Sequence, residues 1–455
     1  MFQRFHINQN RKMKKSKLLL LALVGVTFFS SCSNNDDTDP VTPPTADHVL
    51  TGDVTKNTTI TADKAWTLKG YVYVKDGATL TIEPGAIIKS DVLQKGALIV
   101  ERGGKLMAEG TAAKPIVFTS GFPKGQRRPG DWGGIILLGK ATTNQGTEVK
   151  IEGGVNRSYG GNVDNDNSGI LKYVRIEFAG IAAEPNSEIN GLTCGGVGSG
   201  TVIDYVMVSY GNDDAFEFFG GTVSPKHLIA YTTSDDDFDF DFGFSGTLQY
   251  AIAARNPLFV DAADAGNGVE CDNDGNGTTS TPTTKPVLKN LTIIGPNNQK
   301  NTAANHNFGL RWRRSTSFDM QNSILLGSQT AGFSIESANT ATAYKNGTAV
   351  FKNNIIAVSP LATAVPLKLD DAAKGVISLA DFTAKVLADG NITYTDQNAS
   401  VQLESPFIDP TKAPFAPNFA PKAGSDAATK KIGAIVDGND WTQGWTNWNP
   451  TTTEY

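Results

Sequence analysis

With 455 residues the chain can bury a large continuous core, and it exceeds the size at which one ordinary globular domain stops growing. A repeat architecture or two domains follow from that length. Lys plus Arg (40) trails Asp plus Glu (46), and the net charge of −6 argues against nucleic acid, whose phosphates need a basic footprint. Cations, cationic partners and neutral glycans stay open.

The first element is a leader. Arg11, Lys12, Lys14, Lys15 and Lys17 precede an apolar run from Leu18 to Phe29, which is too short to span a bilayer comfortably. It ends in Phe29-Ser30-Ser31-Cys32. This resembles a lipoprotein signal peptide over residues 1–31, with Cys32 as the acylated first residue of the exported chain and its attachment to a lipid bilayer. A simple secretory signal cut elsewhere is the alternative. Met13 makes a more ordinary start, so residues 1–12 read as an over-extended beginning. Residues 32–48 form a solvated tether with an acidic Ser33-Asn34-Asn35-Asp36-Asp37 and three prolines between Thr38 and Ala46. That run resembles the export signal of surface lipoproteins in the Bacteroidota, against a plain acidic linker facing the periplasm. The expected location is therefore the outer membrane, lipid-anchored and facing outward.

From residue 49, short β-rich runs alternate with Gly, Asn and Asp turns. Tyr71 to Leu80 is echoed by Leu98 to Leu106 at about one coil's interval. Two strand families then interleave. One places apolar residues inward at Val174/Ile176, Val206/Val208, Leu228/Ala230, Ala251/Ala253, Leu291/Ile293, Ser323/Leu325 and Ile355/Ala357. The other comprises triplets centred on Thr193, Glu217, Asp239, Glu270, Arg311 and Ser334, and its best-kept interval is 22 residues, 216 to 238. Period-two alternation turns the outer residues of each triplet inward and the middle one to solvent. The expected fold is all-β: a right-handed parallel β-helix (solenoid) over 49–360, one strand per coil in each of two sheets. Residues 361–455 supply C-terminal coils and an irregular capping segment. A β-sandwich or propeller would instead show hairpin turns between neighbouring strands.

This register separates the cysteines. Cys194 and Cys271 fall in one inward column three coils apart, roughly 14 Å, where a disulfide needs less than ~7 Å. Two buried free thiols are expected.

Corners near 180–190, 255–267 and 295–307 are long, whereas two consecutive corners are short and acidic: Asn212-Asp213-Asp214 and Ser234-Asp235-Asp236-Asp237. Stacked on successive rungs, these carboxylates form an acidic floor walled by the long loops, the candidate binding face. Beside it Glu217, Asp239 and Glu270 repel one another unless a cation or an arginine neutralises them; Arg311 closes the ladder, with Arg313 and Arg314 nearby. Arg255 is a further candidate. Turn chemistry alone explains Asp and Asn at corners, and is the plain alternative. Calcium is the cofactor the floor admits, at Asp213, Asp235 and Asp236. Asp164 to Gly169 and Asp272 to Gly277 each open like a calcium loop, the second offering Asp272, Asp274 and Asn276. Neither continues as an EF-hand, since position twelve is Arg175 or Thr283.

Four histidines show no zinc-type cluster, and no nucleophile elbow or phosphate-cradling loop occurs in a suitable setting. Near the C-terminus, Leu379 to Leu387 has a helical pattern, and Trp441, Trp445 and Trp448 are expected to pack over the open last coil or to serve as a carbohydrate platform.

Three stretches, Tyr173 to Gly180, Asn190 to Thr201 and Asp213 to Thr222, resemble a family of outer-membrane β-helix lipoproteins widespread in the Bacteroidota. The resemblance extends from about Gly52 to Trp448. Members are often encoded near TonB-dependent transporters, which implies a surface accessory role in nutrient capture. Cys194 and Cys271 depart from the aliphatic residues expected in that column. Three functions follow: a non-catalytic binding or accessory lipoprotein for a glycan, another small nutrient or a transporter partner; a polysaccharide lyase or glycoside hydrolase; or a structural adhesion protein. For a hydrolase, carboxylates on adjacent rungs could serve as acid and base, although inverting hydrolysis wants them ~6.5–9.5 Å apart; for a lyase, Arg255 or Arg311 would be the base, and arginine is hard to deprotonate.

Overall fold

The structure is a computed structural model and describes residues 48–184, 187–394, 403–412 and 415–455. The expected leader, Cys32 and all but the last residue of the expected tether lie outside these residues.

From Val49 to Tyr394 the chain winds as a parallel β-helix. Each coil contributes strands to three parallel sheets, where the sequence suggested two. Sheet 1 stacks Ile87–Ser90, Ile116–Thr119, the second halves of Gly169–Glu177, Val202–Ser209 and Lys226–Tyr231, then Ile252–Ala254 through Ile392–Tyr394. Sheet 2 stacks Leu98–Val100, Ile135–Leu138, Leu192–Gly195, Phe216–Phe219, Phe238–Asp241, Val269–Cys271, Phe308–Trp312, Ala331–Ile335 and Val365–Leu369. Sheet 3 runs from Thr58–Ile60 to Val350–Lys352 and buries Ile203, Leu248, Leu288, Met320 and Phe351.

A single residue makes the bend from sheet 3 into sheet 1. Tyr173, Tyr205, His227, Tyr250, Asn290, Asn322 and Asn353 occupy that bend on successive rungs, with φ between 50 and 59°. Asparagine tolerates this left-handed conformation, but an aromatic side chain resists it. The aromatic members offset the strain by stacking: Tyr173 on Tyr205 at 4.4 Å, Tyr205 on His227 at 4.2 Å, His227 on Tyr250 at 5.3 Å.

Inside, like residues stack on like. Phe216 lies over Phe238 at 5.5 Å and Phe218 over Phe240 at 5.2 Å, all fully buried. Each such side chain contributes about 1.5–3 kcal/mol of burial, and each aromatic pair about 0.5–1.5 kcal/mol more. Cys194, Phe218, Phe240 and Cys271 occupy one column on consecutive rungs, and both thiols are buried and free.

Two local expectations need correction. Ile355 and Ala357 do not point inward; Leu325 pairs with Ile356, which does. The inward position before it is Asn354, whose amide oxygen accepts from Ser323 N at 2.9 Å while Asn391 Oδ1 accepts from Asn354 N at 2.9 Å. A fully satisfied polar ladder replaces the apolar column there, and an apolar-only reading slips by one residue.

The tryptophans do not cover the open end. Three helices do so: Ala338–Lys345, Asp371–Lys374 and Leu379–Ala388, capped by Ser337, Asp370 and Ser378, with Tyr344, Phe382 and Val386 completing the core. The C-terminal segment lies instead along the outside of sheet 1. Leu403, Ile408, Phe419, Ile432, Trp441 and Trp445 bury the outward residues Met207, Ile229, Ile252, Ile294 and Ile324. Trp445 meets Tyr173 and Tyr205 edge-on at 5.9 and 6.0 Å, and its indole N–H donates to Trp441 O at 2.9 Å. With these rings buried, no stacking platform for a sugar is left at Trp441 or Trp445. The strap ends beside the early rungs, where the Tyr455 hydroxyl donates to Glu177 Oε1 at 2.5 Å.

Candidate functional site

The outer face of sheet 2 carries Thr193, Glu217, Asp239, Glu270, Arg311 and Ser334 in strict register. These residues do not face open solvent as the alternation suggested: Glu217 and Glu270 are each only 7% exposed. Three insertions cover them. Residues 139–162 pack Ile151, Val155 and Tyr159 on Ile99, Ile136 and Leu138, and carry Glu152 inward. The paired strands Ala182–Glu184 and Ser187–Glu188 bring Glu188 to the rim, and the 256–266 loop brings Asp261 and Asp264.

The result is a cavity of about 520 Å³ lined by Glu152, Glu188, Asn190, Asp213, Asp214, Glu217, Asp235, Asp236, Asp239, Asp261, Asp264 and Glu270, with Ala263 and Ala265. Among the described residues no lysine, arginine or histidine lines it. Asp213, Asp214, Asp235, Asp236, Glu217, Asp239 and Glu270 were legible as candidates; Glu152, Glu188, Asn190, Asp261 and Asp264 were not singled out. Glu188, Asp261 and Asp264 sit in corners already recognised as long, so an inventory of acids in those corners would have found them.

Backbone and amide donors fix the carboxylates. Asp214 Oδ1 accepts from Asp236 N at 2.8 Å, Asp236 Oδ1 from Asn267 N at 2.6 Å, and Glu270 Oε2 from Asn267 Nδ2 at 3.2 Å. Asn190 Nδ2 bridges Glu217 and Glu152. Asp239 Oδ1 is buried and accepts no hydrogen bond. Burial first, and neighbouring carboxylates second, hold Asp213, Asp214, Glu217 and Asp239 well above the usual carboxylate range. Burial, then Asp235, does the same for Asp236, against the opposing pull of Arg255. The same forces raise Asp235 and Glu270 to about 8, Glu270 despite Arg313 and Arg311.

Three binding candidates, Asp237, Arg255 and Arg311, do not line the cavity. Asp237 turns away, paired with Arg255 at 3.2 Å and accepting from Thr233 Oγ1 at 2.9 Å. Arg255 is buried, and it also donates to Asn267 O at 2.7 Å and Ser234 O at 3.1 Å. It anchors the 256–266 wall and has no access to the cavity as a base. Arg311 closes the ladder, bound to Glu270 at 3.1 Å and Glu336 at 3.0 Å.

At the second calcium candidate the carboxylates already have protein partners. Asp272 is consumed by Arg313 at 3.0 Å and Arg314 at 2.6 Å, and Asp274 Oδ1 accepts from Asn276 N at 2.9 Å and Thr278 N at 3.1 Å. Asn276 itself is exposed. In the earlier loop, Asp164 Oδ1 accepts from Thr142 N at 3.0 Å. Both runs are turns held by local hydrogen bonds. On the floor, by contrast, three carboxylate triplets have ligand oxygens within 4.8 Å of one another: Asp213/Asp214/Asp235, Asp214/Glu217/Asp239 and Asp236/Asp239/Glu270. Oxygens so gathered suit a hard cation.

A parallel solenoid with a loop-walled carboxylate cleft on one sheet defines the class: a β-helix protein with a lateral site. Residues 52–446 match the pectate-lyase like beta helix domain family, and the chain belongs to it. Among curated proteins no sequence matches. Among solved structures the chain is similar to the Dettilon tailspike protein, with 9% identity over 69% of this chain and 62% of that one, TM-score 0.29. It is also similar to the catalytic domain of a GH87 alpha-1,3-glucanase in complex with tetrasaccharides, with 14% identity over 70% and 62%, TM-score 0.29. In each case the matched part is less than two thirds of the other chain's length.

Proposed function

We propose that this protein is a surface lipoprotein, anchored in the outer membrane through acylated Cys32, that captures hard divalent cations in its acidic cleft as a binding accessory to nutrient uptake. The observation that carries the binding role is the gathering of eleven carboxylates around one cavity, with no cationic side chain among the described lining residues. Ionised together they repel strongly, and calcium, which takes six to eight oxygen ligands, relieves that repulsion. A neighbouring TonB-dependent transporter is the partner this role calls for.

Equilibrium dialysis of the chelator-stripped exported chain against calcium at pH 8 tests the binding role; retention near stoichiometry is expected, and none contradicts it. Cys32→Ser should move the protein from the membrane to the soluble fraction.

A glycoside hydrolase is the second reading. Burial and Asp236 raise the Glu270 carboxyl to about 8 against the pull of Arg313 and Arg311, and a raised carboxyl is what a general acid requires. Release of reducing sugar from a polysaccharide panel, abolished by Glu270→Gln, would establish it.

A further inference from the structure

The three faces of the solenoid are not equally covered. The C-terminal strap buries outward residues of sheet 1, Met207 and Ile229 among them, and the insertions bury Glu217 and Glu270 on sheet 2. On the strands of sheet 3, among the described residues, no outward side chain from Met107 to Lys352 is buried. One outward column of that open face is cationic on alternate rungs. Lys172, Lys226, Lys289 and Lys352 stand in register, with Asp204, Gln249 and Gln321 on the rungs between them. At about 4.8 Å per rung the lysines recur about every 10 Å along a line of about 30 Å. The whole chain carries −6, so this column runs against the overall charge. The acids on the face are already engaged: Glu109 by Lys172 at 3.8 Å, Asp204 by His227 Nδ1 at 2.7 Å, and Asp319 by the Gln321 amide at 2.7 Å. Lys226, Lys289 and Lys352 form no ion pair with any described residue. Two residues earlier on the same strands, Ile170, Val202, Thr247, Val287 and Val350 make a mostly apolar neighbouring column, interrupted by Asp319. Val202 in that column is 44% exposed.

We infer that this face lies against an anionic lipid surface, with the lysine ammoniums on headgroup phosphates and the apolar column at the boundary beneath them. Lysine suits that position, because its stem covers apolar surface while its charge reaches the phosphates. An open, unroofed sheet matches a plane of headgroups, whereas a single polymer chain is held in a groove. The contact turns the acidic cleft, which lies on a different sheet, away from like-charged headgroups. It rests neither on cation capture nor on acylation of Cys32.

Co-sedimentation of residues 33–455, which lack the acylated cysteine, with vesicles tests this. Chelator is included to remove bridging by calcium. Binding is expected to vesicles of equal phosphatidylcholine and phosphatidylglycerol but not to phosphatidylcholine alone, and it should fade with added salt. Lys226→Gln, Lys289→Gln and Lys352→Gln together should weaken it about a hundredfold, at roughly fivefold per lysine. Lys56→Gln, Lys64→Gln and Lys300→Gln together, at exposed lysines outside the column, change the net charge equally and should leave most of the binding. Both sets are surface substitutions, so unchanged melting curves are expected. No sedimentation with the anionic vesicles, equal binding to phosphatidylcholine alone, or equal loss in the two triple variants overturns the proposal. Tighter binding to soluble polygalacturonate than to vesicles also overturns it, in favour of a polymer. None of these outcomes bears on calcium uptake by the cleft.

Discussion

Cys194 and Cys271 share one inward column of sheet 2, three rungs apart, with Phe218 and Phe240 stacked between them. Burial drives both thiols up and away from reactive thiolate. Alkylation of the folded protein with iodoacetamide should therefore leave both unmodified, and alkylation in denaturant should modify both. A disulfide between them in a non-reducing peptide map would break the register.

Asp237 and Arg255 are both essentially inaccessible, so each depends on the other for its charge. Arg255→Ala should cost about 3–5 kcal/mol, because it strands a buried carboxylate. Adding Asp237→Asn to that variant should recover part of the loss. Urea unfolding of the two variants measures both effects.

The strap along sheet 1 is held by rings. Trp445→Ala, at a site 1% exposed, should cost about 3–5 kcal/mol of the strap's docking. Limited proteolysis should then release a fragment beginning near residue 403 while the coils stay resistant.

Without cations, stability should fall as pH rises. Asp235 and Glu270 titrate near 8 when folded, against 3.8 and 4.5 otherwise. Carboxyls raised in this way stabilise the fold fully below pH 4, and that contribution is lost as pH passes through about 8. In chelator, the urea midpoint at pH 5 should exceed that at pH 8.5, and Asp235→Asn should flatten the difference.

Sheet 2 and its column were legible because each strand repeats apolar-charged-apolar at a near-constant interval. Sheet 3 was not, because Tyr173, Tyr205 and His227 turn the chain in one residue, without Gly or Pro, and two strands read as one. The frame at Ile355 was lost where Asn354 stands inside in place of an apolar residue. The acidic floor could be read from Asp213, Asp214, Asp235 and Asp236 on adjacent rungs. Its roof could not: Glu152 arrives from an insertion whose docking on Ile99 and Ile136 no periodicity announces.

Thermal unfolding of residues 33–455 at pH 8, in chelator and then in excess calcium, tests the role of the cleft most directly. A cation at one hundred times its Kd adds about 2.7 kcal/mol per site, so the melting temperature should rise by several degrees, and by less in Asp214→Asn. Identical melting curves in the two solutions would contradict it.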